Sequence, residues 1–150
     1  MVERGEDETM NAVMSWVGSR EPRALLSLEL RTAPDPVVRA VCEPVESFGR
    51  PLRELVDEML HLMRLRRGVG LAAPQVGIER RLFVAEIEGR RLEVVNPRLF
   101  LCGRASAKAV EGCLSLPGFN ATVARPERAT VKGLDLEGRE HFYSGDGLLA

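Results

Sequence analysis

The sequence predicts an α+β domain in which antiparallel strands accompany a small number of helices. Two observations predict this class. One stretch has the apolar periodicity of an amphipathic helix, and the second half of the chain alternates short strand-like stretches with hairpin turns. The chain has 150 residues, of which 45% are hydrophobic and only 5% aromatic. This is the size of one globular domain, with a core built from Leu, Val, Ala and Met.

Charge and composition exclude several classes of protein. Lys and Arg number 21 against 22 Asp and Glu, for a net charge of −1, so neither a generic nucleic-acid surface nor a polybasic membrane surface is expected. No apolar run approaches the length of a membrane span, about 18 residues. The acidic N-terminus lacks the apolar centre of a secretory or transit signal. Three widely spaced cysteines do not make a disulfide framework, so we expect a cytoplasmic protein.

The first elements follow an acidic N-terminal stretch. We interpret residues 1–23 as an appendage, disordered or a short helix, and residues 24–150 as a partial domain. A short apolar stretch precedes the Pro-rich turn at residues 33–36. A brief helix is predicted to continue through Val41 and to stop before Pro44.

The clearest helix is predicted at about residues 51–66. Pro51 suits a first helical position, and Gly68 is placed to end the helix in a left-handed conformation. His61 falls on the charged side and is expected to be solvated. The apolar stripe, at spacings of three and four, consists of Leu52, Leu55, Val56, Met59 and Met63.

The second half of the chain predicts strands. Hairpin turns are expected at Glu88-Gly89 and Glu137-Gly138, and Asn96-Pro97 is expected to break a strand. Residues 144–150 are typical of a cap and the first turn of a new helix. The predicted strands span residues 81–87, 91–95, 98–102, 104–110, 122–124, 129–136 and 140–143.

A first segment that could carry chemistry is residues 68–77. Its glycines and alanines leave the backbone bare, so another backbone can approach closely. Gln75, beside the rigid Pro74, suits an amide hydrogen bond to a substrate carbonyl. The alternative, which composition alone favours, is a helix C-cap followed by a tight turn. A phosphate-binding loop is not predicted, because the segment follows a helix and lacks a Lys-Ser/Thr pair.

A second such segment is residues 111–118. Cys113 lies there in a polar segment before a Pro-Gly turn, where a thiol could be a metal ligand or a nucleophile. A lone cysteine is more often a small buried hydrophobe, and we assign that role to Cys42 and Cys102.

Together the two segments resemble the first two signature motifs of peptide deformylases. The pattern G-x-G-x-A-A-x-Q is matched by Gly68, Gly70, Ala72, Ala73 and Gln75, and E-G-C-x-S by Glu111, Gly112, Cys113 and Ser115. The resemblance extends from about residue 25 to the end of the sequence. The third family motif, H-E-x-x-H, is absent, since the two histidines are His61 and His141, and His141 is predicted on a strand. In the family this helix begins where the present sequence ends.

The resemblance implies both a fold and a function. The fold is a set of antiparallel sheets packed around helices, here with the central C-terminal metal-binding helix missing. The function is metal-dependent removal of the N-formyl group from the N-terminal formylmethionine of newly synthesised proteins. The cofactor is a divalent metal, Fe²⁺ or Zn²⁺. The partners are N-formylmethionyl nascent peptides, with the ribosome as a possible place of action, and the peptide lies along exposed backbone as an added strand.

The resemblance also assigns roles to residues. By it, Cys113 is a metal ligand, the Gln75 amide and the Leu114 backbone N–H hold the developing oxyanion, Gly70 flanks the metal pocket, and Val69 and Gly112 contact the peptide backbone. We therefore expect Cys113 to lie within reach of Gln75. We also expect no bound metal and no hydrolysis from the 150 residues, because a catalytic metal site needs three protein ligands and a general base.

Three hypotheses remain open at this point. The chain is a deformylase whose sequence is truncated, a metal-free relic that still binds N-terminal peptides, or a non-functional fragment.

Overall fold

The computed structural model describes residues 28–147. Helix α1 is Arg50–Leu65, and two short 3-10 helices are Pro36–Arg39 and Ala73–Val76. The strands are β1 Gly70–Ala72, β2 Leu82–Ile87, β3 Arg90–Cys102, β4 Ser106–Cys113, β5 Leu116–Pro126, β6 Arg128–Leu134 and β7 Glu140–Asp146. Residues 1–27, with the predicted appendage, and residues 148–150 lie outside this description.

Two antiparallel sheets form the scaffold. Five strands pair in the order β1-β2-β3-β6-β7, so that β1 and β7 are its edges, while β4 and β5 form a separate two-stranded sheet. The predicted α+β class with antiparallel sheets is confirmed. Within the described residues no helix is both long and apolar enough to cross a membrane.

Helix α1 covers one face of the larger sheet. Its predicted apolar stripe is buried, with Val56 and Met59 fully enclosed, and it packs against strand residues such as Leu71, Val84 and Val95. The opposite face carries the alternate residues of the same strands and forms an open, largely apolar depression of about 430 Å³. His61 is exposed on the outer side of α1, as predicted.

The end of α1 differs from the prediction. Arg67, not Gly68, takes the left-handed conformation, with φ of 56°. The Gly68 N–H then donates to the Met63 carbonyl at 2.9 Å and closes the last turn. Gly68 has another role: a Cβ there would lie 2.6 Å from the Leu114 Cδ1 atom, so any larger residue would displace the Leu114 side chain. A tertiary contact therefore favours glycine at this position.

The predicted break at Asn96-Pro97 is a bulge within one long strand, which corrects the expectation of two strands. The register of β3 against β6 shifts between Val95 and Arg98, and Asn96 has φ of 51°. Asparagine tolerates this conformation, so the strand bends and continues. The Asn96 side chain also exchanges two hydrogen bonds with the Val45 backbone, at 2.8 and 2.9 Å.

Other boundaries also need correction. The first short helix ends at Arg39 rather than Val41 and is a 3-10 helix. The expected helix start at residues 144–150 is wrong as far as Asp146, because Ser144 pairs with Thr130 and Asp146 with Arg128 in the β6–β7 ladder. The two glycine hairpin turns are confirmed by positive φ at Gly89 and Gly138.

Two cysteines, Cys42 and Cys102, are predicted to be buried. Cys102 is exposed, because the last residues of β3 extend beyond the part of the sheet that α1 covers, so that assignment was wrong. Cys42 is half-buried, and its burial raises the pKa of the thiol.

Candidate functional site

The two sequence segments singled out above face each other across one cavity. Its volume is about 710 Å³. One wall is the chain between α1 and β1, and the other is the β4–β5 connection. The residues that line it are Leu30, Arg66, Arg67, Gly68, Val69, Gly70, Gln75, Gly112, Cys113, Leu114, Leu116, Pro117, Gly118, Phe119 and Asn120.

The Gln75 side chain is held in one orientation. Its Oε1 accepts a hydrogen bond from the Ala72 N–H at 2.9 Å, so the amide nitrogen must point the other way. That nitrogen donates to the Ser115 hydroxyl at 3.1 Å and lies 3.6 Å from the Cys113 sulfur. The predicted proximity of Gln75 and Cys113 is confirmed. An amide fixed at both ends is a preorganised donor.

Ser115 completes this arrangement and was given no role from the sequence. It is only 4% exposed, and its backbone carbonyl accepts the Ala33 N–H at 2.9 Å. The preceding chain is bound a second time where the Arg31 N–H donates to the Gln75 carbonyl at 2.8 Å. The available signal was the place of Ser115 in the second motif, two residues after Cys113.

Strand β1 presents a free backbone edge to the cavity. Among the described strands it pairs only with β2, and the Val69 carbonyl just before it accepts the Glu86 N–H at 2.9 Å. Because backbone groups alternate along an antiparallel strand, those of Gly70 point away from β2. Gly70 is thus placed to pair with an extended chain in the cavity. The Val69 carbonyl is already bonded to Glu86, so Val69 can contact a molecule in the cavity only through its half-exposed side chain.

Leu114 joins the two walls. Its side chain packs against the core and fills the space that the missing side chain of Gly68 leaves. Leu114 lies in the turn between β4 and β5, outside both strands. Within residues 28–147 its N–H makes no hydrogen bond to another backbone group. It is therefore available as a donor beside Cys113.

An ion pair steadies the strand that carries Cys113. Arg125 on β5 donates through Nε and Nη2 to the two carboxylate oxygens of Glu111 on β4, at 3.0 and 2.9 Å. This hydrogen bonding lowers the pKa of Glu111. The neighbouring Gly112 lies against Asn120, where a Cβ would come within 2.8 Å of the side-chain oxygen. Both contacts hold the end of β4 against β5 up to Gly112, where the register shifts before Cys113.

The metal donors in the described part of the chain are too few for a catalytic site. Cys113 supplies one sulfur, and no group of three or more His, Cys, Asp or Glu side chains within residues 28–147 could hold an ion. His141 lies on β7, as predicted, and its Nε2 is 3.0 Å from Asp135. A divalent metal needs at least two further ligands, so these residues alone do not fit it.

The depression on the open face of the larger sheet adjoins this site. Val69, Gly70 and Gln75 line both cavities. The rest of its lining is mainly apolar and includes Phe83 and Leu92. The candidate site is therefore bordered by a large sheet face that nothing in residues 28–147 covers.

The sequence is similar to those of known peptide deformylases. Residues 27–150 match the polypeptide deformylase family. The peptide deformylase of Heliobacterium modesticaldum is 43% identical over 116 residues, which cover 77% of this chain and 76% of that protein. The Rhizobium meliloti peptide deformylase is 40% identical over 122 residues, covering 78% of this chain and 70% of that protein.

Solved structures agree with the sequence comparison. The peptide deformylase of Synechococcus elongatus, in complex with actinonin, superimposes with a TM-score of 0.80 at 36% identity and covers 88% of this chain and 72% of that chain. For the peptide deformylase of Thermotoga maritima the TM-score is 0.78 at 34% identity, with 80% of this chain and 82% of that chain covered.

Proposed function

We propose a function for the main cavity, which is the one that Gln75 and Cys113 line. The chain belongs to the polypeptide deformylase family, and this cavity binds the formylated N-terminus of a newly synthesised peptide. The family is metal-dependent and acts on formylated nascent peptides. The observation that carries the proposal is the Gln75 amide, fixed by Ala72 and Ser115 and directed at Cys113 inside a cavity of about 710 Å³.

The formyl group is recognised through its oxygen. A formamide presents a carbonyl acceptor, and the amide nitrogen of Gln75 and the N–H of Leu114 are two donors on opposite walls of the cavity. In the family reaction that oxygen gains negative charge, which two fixed donors stabilise more strongly than they stabilise the neutral carbonyl. Gln75 and Leu114 are thus the proposed oxyanion residues.

The peptide backbone binds by strand addition to β1. Gly70 offers an N–H and a carbonyl that β2 does not use, and Gly112 faces it from the other wall. The side chain of Val69 contributes apolar contact beside this edge. A Cβ at position 70 would make only an ordinary contact, at 3.6 Å from the Val84 carbonyl oxygen, so the fold itself leaves room for a small side chain there.

Hydrolysis needs more than these residues supply. Cys113 is the proposed metal ligand of a complete family site, whether the ion is Fe²⁺ or Zn²⁺. The 150 residues contain no H-E-x-x-H motif to provide further ligands and a base. We therefore propose that the described residues bind the formylated peptide and that its cleavage requires these further ligands and the base.

Calorimetry of the purified chain with two matched peptides tests the binding proposal. The peptides are formyl-Met-Ser-Ser-Ser amide and the same peptide without the formyl group. We expect the formylated peptide to bind on the order of two- to tenfold more tightly, the value of one net hydrogen bond. Gln75→Leu, similar in size but without a donor, should remove that difference, whereas Ser106→Ala on the exposed part of β4 should keep it.

Two results would contradict the proposal. Equal affinity for both peptides in the unmodified chain would show that the cavity does not recognise the formyl group. Retention of the full difference in a folded Gln75→Leu variant would remove Gln75 from the site. Circular dichroism on the same samples establishes that the variant is folded.

A further inference from the structure

Two arginines line one end of the main cavity, and no carboxylate of residues 28–147 neutralises them. Arg66 and Arg67 are both exposed, and neither forms an ion pair with another of the described residues. No Asp or Glu is among the described residues that line the cavity. The cavity is therefore electropositive at this end.

The backbone beneath the two arginines is fixed. The N–H groups of Arg66 and Arg67 donate to the carbonyls of Leu62 and Arg64, both at 2.9 Å, as the helix closes. Arg67 takes the left-handed conformation directly before Gly68, where the cavity wall begins. The two side chains thus leave the backbone at defined positions, adjacent to the β1 edge that the proposed peptide would follow.

A neighbouring arginine provides an internal contrast. Arg64 lies two residues earlier, and its guanidinium donates to both carboxylate oxygens of Glu86, at 2.7 and 3.0 Å. Arg64 is thereby neutralised on the surface of α1, and it does not line the cavity. Of this cluster, the unpaired arginines are the ones that line the cavity.

We propose that Arg66 and Arg67 make the cavity selective for formylated peptides with an acidic side chain within the first residues after formylmethionine. This inference rests on the proposed function and names its preferred substrate class. A carboxylate in the bound peptide supplies the partner that the cavity itself lacks. Because both arginines are exposed, the preference is modest and falls with ionic strength.

The experiment compares amide-capped peptides of one length. Formyl-Met-Ser-Ser-Ser amide is the neutral reference, and a single Glu or Lys replaces serine at the second, third or fourth position. At low salt we expect the best-placed Glu to tighten binding about two- to fivefold over the reference, and Lys at that position to weaken it. The difference should shrink toward unity in about 1 M salt. The neutral peptide with a free C-terminal carboxylate separates an acidic side chain from an acidic chain end.

Charge reversal supplies the matched variants. Arg66→Glu with Arg67→Glu should invert the preference, so that the Lys peptide binds more tightly than the Glu peptide. Arg104→Glu also reverses a charge at an exposed arginine, but outside the cavity. It should leave the ratio of the affinities for the Glu and Lys peptides unchanged. If the double variant does not fold, Arg66→Glu alone replaces it, because Arg66 has a negative φ of −87° that glutamate also adopts. This single variant should still lower the ratio of the affinity for the Glu peptide to that for the Lys peptide.

The outcomes separate this inference from the proposed function. Equal affinity for Glu, Ser and Lys peptides, with the formyl preference intact, overturns the acidic selectivity alone. A ratio that Arg104→Glu changes as much as Arg66→Glu also overturns it, because net charge would then be the cause. A Glu preference that is the same with and without the formyl group supports the arginines and contradicts formyl recognition. Failure of every peptide to bind overturns both.

Discussion

The side-chain amide of Gln75 lies 3.6 Å from the thiol of Cys113, although 38 positions separate them in the chain. The buried hydroxyl of Ser115 accepts a hydrogen bond from the same amide nitrogen at 3.1 Å. The site is thus a contact between two otherwise separate parts of the fold: the segment after α1 and the turn between the strands of the small sheet. Its properties should respond to changes in either part.

Metal content is the first prediction. The purified chain of 150 residues should contain no stoichiometric divalent metal, because Cys113 is one donor where a catalytic ion takes three. Elemental analysis after dialysis against Fe²⁺ or Zn²⁺ measures it. About one ion per chain, lost in Cys113→Ser, would contradict the prediction and show that His61, His141 or a second copy supplies ligands.

The second prediction concerns restoration of activity. The chain itself should not deformylate a formyl-Met peptide, and a family-type helix bearing H-E-x-x-H joined after Ala150 should restore hydrolysis. Two histidines four apart share one helix face, and with Cys113 they make three ligands. Deformylation of the extended chain should vanish with Cys113→Ala and fall about 10²–10³-fold with Gln75→Ala, the effect of losing one oxyanion donor.

A negative result for the extended chain is informative. If it folds and binds metal yet stays inactive, then the walls described above are not a competent half of a deformylase site, and the peptide-binding relic becomes the better hypothesis. The extended chain with Ser106→Ala serves as the control, because this exposed residue should leave the rate unchanged.

Ser115 should matter for stability as well as for binding. Ser115→Ala leaves the Gln75 amide without its buried acceptor, and we expect the free energy of unfolding to fall by about 0.5–1.5 kcal/mol. Urea denaturation measures the change, with the exposed Ser106→Ala expected within about 0.5 kcal/mol of the parent. No change in stability, together with an intact formyl preference, would show that Gln75 is positioned by Ala72 alone.

The Glu111–Arg125 pair makes stability depend on pH. Its hydrogen bonds lower the pKa of Glu111 in the folded protein, so its contribution is present above the unfolded pKa, about 4.3. The contribution is lost as pH falls from there through the folded pKa. Denaturation curves of the parent and Arg125→Gln should therefore differ at pH 7 and converge in acid. A difference that stays constant below pH ~4 would contradict the assignment.

Gly68 supplies a steric prediction. A methyl group there would lie 2.6 Å from Leu114, so Gly68→Ala should destabilise the fold by about 1–3 kcal/mol, the usual cost of overpacking. Gly70→Ala is the matched control, since its Cβ would meet the nearest atom at 3.6 Å. Combining Gly68→Ala with Leu114→Ala should remove most of the added cost, because the clashing atoms are gone. Additive costs would contradict this explanation.

Local pattern explains what the sequence predicted well. The stripe of α1 and the turns at Gly89 and Gly138 depend on neighbours a few positions apart, and they lie where the periodicity and turn residues indicate. The proximity of Gln75 and Cys113 was accessible only through resemblance to a family, because composition alone favoured a helix cap for the first segment.

The errors have a common physical origin in contacts between distant residues. Gly68 was assigned the left-handed position that Arg67 takes, because its contact with Leu114 is invisible in the sequence. Asn96 was expected to break a strand, but pairing of β3 with β6 continues on both sides of it. Ser144 was expected to begin a helix, and pairing with Thr130 keeps it in a strand. Ser115 had a motif position but no local signal of its buried partner.

Asn96 supports the candidate site from a distance. Its amide reproduces, toward Val45, the donor and acceptor of a neighbouring peptide group and so fastens the chain that enters α1. Earlier in that same chain, the N–H groups of Arg31 and Ala33 reach the carbonyls of Gln75 and Ser115. Amide deuterium uptake at these two positions would therefore accelerate once Asn96 is replaced by leucine, and the loss of this anchor would extend to Gln75 and Ser115.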